Sequence, residues 1–326
     1  MFRADSLPPV KPSSAVLGLN INADRILLVY GNLSGLVNER LSFSAPLNEN
    51  FPNTLALISR QADRLLALTN AQHLPLPDRV SVAVAGNYDK LTGILESSPF
   101  FTEWHSVSLR SQLNLSFNLP IEIEQNANAG ALAENFFGAG HDVANLVFVS
   151  LNPEVRIGML NNGVLYRIPG GKAGNIGDLK LYGNGLAEKE KTARLNDFAS
   201  LRGMAKLALA RFPNHWQEAL DVYRIIDAAH AGDPYALEVI HEAGHYLGLG
   251  LVPTVYILRP QLIVLGHPGC LLGELLTDPI RETLGQATGL AAHELPEIIS
   301  SPLCNRLPEL EALSPAIYAS HSQTTS

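Results

Sequence analysis

Two groups of residues in this chain have types and spacings that could do chemistry. The first is His241-Glu242-Ala243-Gly244-His245, an H-E-x-x-H pattern. On a helix its two imidazoles lie one turn apart on one face, where they can hold zinc while the glutamate deprotonates a metal-bound water. Such a site needs a third ligand. The short histidine spacing for it falls on Leu251, which leaves Glu274 as a distant carboxylate. The second group is Glu124-Gln125-Asn126-Ala127-Asn128, where a strand over 120–125 runs into a helix over 127–138. Carboxamides at such a junction can hold hydroxyl groups by hydrogen bonds. Without a basic lone pair near neutral pH, Asn126 cannot take a proton as a general base.

The elements that must position these groups occur twice in one order. Short β-rich runs at 15–22, 25–32 and 36–45 precede an amphipathic helix at about 52–72, with Leu55, Ile58, Ala62, Leu65 and Leu66 on one face. A buried strand follows at 80–86, then a helix around 108–117 and the strand at 120–125. The second series opens with a hairpin-like pair, 146–152 and 156–160, and continues at 163–168 after the Asn161-Asn162-Gly163 turn. Helices dominate from 189 to about 259, and a strand at 261–266 and a helix at 271–286 close the pattern. A repeated β-meander with alternating helix and strand predicts duplicated α/β halves, each packing helices on a mixed sheet, with a cleft between them. The expected division is a flexible tail at 1–14, an N-terminal lobe at 15–140 and a C-terminal lobe at 141–326. Packing of the C-terminal tail back onto the N-terminal lobe stays open.

Composition narrows the classes. A chain of 326 residues suits two domains, and 46% apolar residues suffice for substantial cores. Lys+Arg 23 against Asp+Glu 31 gives a net charge of −8, without the basic stripe of a nucleic-acid-binding chain. Glu188-Lys189-Glu190-Lys191 alternates in sign and reads as a solvated helix start. Cys270 and Cys304 are the only two cysteines. Far apart and without ligand spacing, they are expected as free thiols in a reducing cytoplasm. No run of about 20 apolar residues spans a membrane, and residues 1–14 lack the apolar core of a signal peptide.

Further motifs fall in a fixed order along the chain. They are Val84-Ala85-Gly86, Gly93, Ser97-Ser98-Pro99, Trp104, Phe137-Gly138-Ala139-Gly140, Ala173-Gly174-Asn175-Ile176-Gly177-Asp178, Tyr246-Leu247-Gly248, Leu258-Arg259-Pro260 and Ile263-Val264-Leu265-Gly266. Together with the segment 124–134 they resemble the ROK family of sugar kinases and sugar-responsive repressors, over about 16–284. The resemblance implies the two-lobed actin-like ATPase / sugar-kinase fold, which is ribonuclease H-like, with βββαβα halves. It also accounts for most of the late helix. The family reads E-A-G-x-x-L-G there, so Glu242, Ala243, Gly244, Leu247 and Gly248 need no zinc, and only His241 and His245 are left to chance.

Set against that family, the chemical positions change one after another. Where its kinases read E-N-D-A-N with the aspartate as general base, this chain has Asn126. The first phosphate loop, D-x-G-G-T in the kinases, is Asn20-Ile21-Asn22-Ala23-Asp24 here. The second, G-T-G-x-G-x-G, is Asn152-Pro153-Glu154-Val155-Arg156-Ile157-Gly158. Pro153 removes a backbone donor and Glu154 adds negative charge where phosphate would sit. Arg156 is either an anion partner or a polar residue of the hairpin. Gln125 replaces asparagine, Asn175 glutamate, and Asp178 the histidine that joins a cysteine run in the family's zinc site. Residues 179–189 contain no cysteine. His267-Pro268-Gly269 stands where glycines border the adenine pocket.

The resemblance therefore implies a catalytically inactive ROK-like protein, a sugar-sensing or regulatory effector related to the family's transcriptional regulators. Neither ATP with magnesium nor zinc is expected as a cofactor. Gly86, Gln125, Asn126, Asn175 and Asp178 are the candidate ligand-binding residues, with a sugar or sugar phosphate as ligand; satisfaction of backbone and water is the plainer role for the same side chains. Asn20, Asn22, Asn152, Glu154 and Gly158 mark the degenerate phosphate loops. A homodimer and a protein partner are expected. With 14 residues ahead of the first strand there is no room for a helix-turn-helix, so direct DNA binding is not expected. One alternative is an active ATP-dependent sugar kinase with a displaced base, Asp178 or Glu124. A zinc metallopeptidase built on His241, Glu242 and His245 is the remote one.

Overall fold

The computed structural model describes residues 14–22, 25–44, 49–182, 192–217 and 220–322. The expected tail at 1–14, all but Ser14, and the helix start at 188–191 lie outside the described residues. The chain divides into two compact units. The first takes Met1–Asp142, Leu165–Ala173 and Asn305–Ser326, and the second takes Val143–Val164 and Gly174–Cys304. Residues 165–173 and 305–326, counted with a C-terminal lobe in the sequence, thus belong with the first unit.

The first unit opens with the meander β1 (Ala15–Ile21), β2 (Arg25–Asn32) and β3 (Val37–Ser44). Then come α1 (Phe51–Ala71), β4 (Arg79–Val84), the hairpin β5 (Asn87–Asp89) and β6 (Ile94–Ser97), α2 (Leu109–Phe117), β7 (Ile121–Gln125) and α3 (Asn126–Phe137). Asn50 caps α1 by accepting from the Asn53 amide at 3.0 Å, and Pro52 occupies the first turn, where its missing N–H costs nothing. The sheet order is β3-β2-β1-β4-β7, with β1 antiparallel to β2 and parallel to β4, and β4 parallel to β7.

The second unit contains β8 (Leu146–Ser150), β9 (Arg156–Asn161), β10 (Val164–Leu165), β11 (Lys180–Tyr182) and β12 (Thr192–Arg194), followed by α4 (Leu195–Ala199), α5 (Leu201–Arg211), α6 (Val222–His230) and α7 (Pro234–Leu258). β13 (Leu262–Leu265), α8 (Glu274–Thr288) and β14 (Glu297–Ser300) complete it. Its sheet runs β10-β9-β8-β13-β14, the same order as in the first unit, so the predicted duplication is present in the strands themselves. The run expected at 163–168 shrinks to the two residues of β10. Residues 192–194, expected as helix, pair with β11 instead. Gly244 and Gly248 let α7 lie close on α8. A Cβ at these positions would come within 2.6 Å of Pro279 and 2.7 Å of Thr283.

The last helix, α9 (Leu307–Ser322), belongs to the first unit. Strand alternation decides what it meets. Leu17, Leu19 and Ile21 of β1 join the core under α1 with Phe51, Ile58, Leu65 and Trp104. Val16, on the opposite face, packs with Val29 and with Ala312, Leu313, Ala316 and Ile317 of α9. Asn20 shares the face of Val16, and so points toward α9.

Cys270 and Cys304, expected as free thiols, are joined by a disulfide with Cα atoms 5.9 Å apart. Sequence separation hides their proximity. β13 and β14 are parallel neighbours with Leu265 opposite Ser300, so the turns leaving both strands meet. Among the described residues no helix is long and apolar enough to cross a membrane.

Candidate functional site

In the first unit the carboxyl ends of β1, β4 and β7 lie side by side, with Ile21 opposite Val84 and Val84 opposite Gln125. This edge gathers Asn20, Gly86, Gln125 and Asn126. Gly86 has φ +142°, a conformation an L side chain rarely adopts, and an added Cβ would run into the Ser97 carbonyl. Asn126 opens α3 and is buried. Its Nδ2 donates to Asn20 Oδ1 at 3.5 Å, and its Oδ1 has no partner among the described residues. Asn20 Nδ2 donates in turn to the Pro308 carbonyl at 3.1 Å and to Glu311 Oε2 at 2.8 Å.

Glu311 is a neighbour of Asn20 that sequence reading misses. Burial pushes its carboxyl up to about 8, opposed by the hydrogen bond from Asn20 and reinforced by nearby Glu134. At neutral pH it is mostly protonated, and the Asn20–Asn126–Glu311 corner is largely uncharged. Glu124 is the opposite case. Also buried, it accepts from Arg167 Nε at 3.0 Å and Nη2 at 2.6 Å, with Lys90 Nζ at 3.1 Å. Gln125 donates to the carbonyls of Gly171 and Tyr88, so backbone already occupies its amide nitrogen.

The second unit holds the rest of the predicted residues. Ile157 N donates to the Gly174 carbonyl and Gly177 N to the Val155 carbonyl, both at 2.8 Å, which lays 174–178 beside the start of β9. Asn175 Nδ2 donates to Asp178 Oδ2 at 2.8 Å, and Arg194 holds the other oxygen at 2.5 Å. Asp178 and Arg194 are each about half exposed, at 50% and 56%. Val155 N is taken by Asn196 Oδ1 at 2.7 Å. The N–H groups of Val155 and Ile157 are therefore spent inside the protein. Glu154 pairs with the buried Arg156 at 3.2 Å, so the negative charge expected to face a phosphate is compensated by its neighbour. Gly158 lies within β9 opposite Phe148. In the first phosphate loop Asn22 N donates to the Arg25 carbonyl at 3.1 Å, and Ala23 and Asp24 lie outside the described residues.

The H-E-x-x-H pattern is held by other partners. Glu242 grips Arg211 with both oxygens, at 2.7 and 3.1 Å, and His245 Nδ1 lies 3.0 Å from Thr283 Oγ1. Among the described residues no group of three or more His, Cys, Asp or Glu side chains could hold a metal ion.

The ROK family model matches residues 49–301. The chain belongs to the ROK family. It is 26% identical over 292 residues to the xylose repressor of Caldicellulosiruptor bescii, covering 86% of this chain and 72% of that one. A solved ROK family transcriptional regulator, a homolog of the E. coli MLC protein, superposes with a TM-score of 0.82 at 20% identity over 96% of this chain and 81% of that chain. A ROK family glucokinase from Streptomyces griseus, in complex with glucose and AMPPNP, gives 0.77 at 20% identity over 92% and 98%. The predicted fold class, the two-lobed α/β fold of the ROK sugar kinases, is thus the observed one.

Proposed function

We propose that this ROK protein is a catalytically inactive effector that senses a sugar or sugar phosphate and acts in carbohydrate metabolism and gene regulation. One observation carries this reading: the position of the kinase base is Asn126, hydrogen-bonded to a second amide, Asn20, where the kinases place their magnesium-serving aspartate. Two amides and a largely protonated Glu311 supply neither a base nor the charge a magnesium ion asks for. The donor set does not fit a metal–nucleotide.

The alternative bases have other attachments. Glu124 is committed to Arg167 and Lys90, and Asp178 to Arg194 and Asn175. An effector role suits a chain whose relatives include both a repressor and a glucokinase solved with glucose. In the first unit Asn126 Oδ1, buried and without a partner among the described residues, is the acceptor offered to a sugar hydroxyl. A cytoplasmic location, a homodimer and a protein partner belong to the same proposal.

The test is a coupled assay with Mg-ATP and hexoses, N-acetylhexosamines or mannosamines, beside a thermal-shift screen of the same sugars and their phosphates. No turnover above buffer is expected for the parent or for Asn126→Asp, and a sugar-specific rise in melting temperature is expected. ATP-dependent turnover abolished by Asp178→Ala would defeat the inactive reading.

A further inference from the structure

We propose that Cys270–Cys304 is a reversible thiol–disulfide site that sets the order of the carboxyl edge of the second unit's sheet. The two sulfurs come from turns that follow neighbouring parallel strands, β13 and β14. The turn carrying Cys270 lies against Leu151, since a Cβ at Gly269 would come within 2.9 Å of Leu151 Cδ1. Leu151 directly precedes Asn152-Pro153-Glu154. The bridge therefore ties the turns after β13 and β14, with the loop after β8 packed against the first of them, at the edge where open α/β sheets receive ligands.

Apart from the bridge, the two turns are linked by Ser301 N, which donates to the Leu265 carbonyl at 2.9 Å, while each turn is closed by bonds of its own and His230 Nε2 lies 2.8 Å from the Leu271 carbonyl. Cys270 N donates to the Gly266 carbonyl at 3.0 Å, Cys304 N to the Ser301 carbonyl at 3.3 Å, and Leu303 N to Ser301 Oγ at 3.1 Å. Cys270 is 9% exposed and Cys304 half-buried, so Cys304 is the more accessible residue of the pair, and its Sγ is taken as the one attacked.

The co-reactant is a dithiol. One of its thiolates attacks Cys304 Sγ, the S–S bond breaks, and Cys270 Sγ leaves as a thiolate that takes up a proton. The reductant's second thiolate then displaces the Cys304 thiolate, which is protonated. Two electrons and two protons have moved, the protein carries two thiols, and the reductant is an intramolecular disulfide.

The whole chain, equilibrated in buffers of graded dithiol-to-disulfide ratio, is alkylated without denaturant and weighed, with backbone hydrogen exchange followed in parallel. Expected are two alkyl groups per chain appearing in one transition, with about tenfold faster exchange in 266–272 and 301–306 and unchanged exchange in β8. Cys270→Ala/Cys304→Ala should exchange fast at every ratio; if it does not fold, the parent under native reduction carries the test alone. Alkylation only after denaturation, thiols free at the most oxidising ratio, or exchange indifferent to reduction would each overturn the proposal.

Discussion

The two units have one strand order but satisfy the polar groups at their sheet edges by different routes. In the first, amides stand together: Asn20 and Asn126 touch each other, and burial raises the pKa of the carboxyl beside them, Glu311. In the second, charges remain but are answered locally, Glu154 by Arg156 and Asp178 by Arg194, while loop N–H groups are spent on Asn196 and Gly174. Neutralisation by burial and neutralisation by pairing differ in their energetics. A buried neutral acid ties stability to pH, whereas a half-exposed ion pair such as Asp178–Arg194 contributes little that a measurement would notice.

The largest effect should come from Glu311→Gln. Between the ordinary carboxylate value of 4.5 and about 8 the unfolded chain ionises this residue while the folded chain keeps its proton. Folding therefore loses stability as pH rises through that window, and the loss levels off above it. At about 1.4 kcal/mol per pKa unit the difference reaches the order of 3–5 kcal/mol. Denaturant unfolding at pH 5 and pH 8.5 should show the parent weakening relative to the glutamine variant; parallel curves would remove the contrast between the units.

Loss of the bridge in Cys270→Ala/Cys304→Ala comes next. Releasing a loop closed across 34 residues costs about 3–4 kcal/mol in the chain-entropy account, read as a fall in the denaturation midpoint. Arg167→Ala should cost about 1–3 kcal/mol, because it strips two hydrogen bonds from the buried Glu124 and leaves Lys90 as its cation. The smallest is Arg194→Ala, under about 1 kcal/mol for an exposed pair. A cost above that of Arg167→Ala would show that the second unit also relies on buried charge.

Much of this was legible in the sequence. Hydrophobic periodicity placed α1 within a residue of its ends, and the helix after Gln125 begins where the amides are. The failures share one cause: they depend on strands and helices far apart in sequence becoming neighbours. Glu311 lies 291 residues from Asn20, and nothing local announces that they meet. α9 itself was detectable, since Leu310, Leu313 and Ile317 recur at helical spacing. The disulfide was hidden because its spacing follows the parallel pairing of β13 with β14. Arg167 was missed because the short excursion 165–173 belongs to a unit other than its sequence neighbours. The H-E-x-x-H pattern misleads for the opposite reason. Its spacing is helical, but its glycine serves the contact with α8 and its glutamate an arginine.

The first unit is assembled from three separate stretches of chain, and its last contribution is α9. On a ribosome the second unit's final stretch, 174–304, is therefore complete before the first unit can close. Until α9 emerges, Val16 and Val29 lack their apolar cover and Asn20 has no carboxyl beside it. The strands made first are thus the last to be sealed, and the newborn chain carries an open apolar sheet face through nearly the whole of its synthesis.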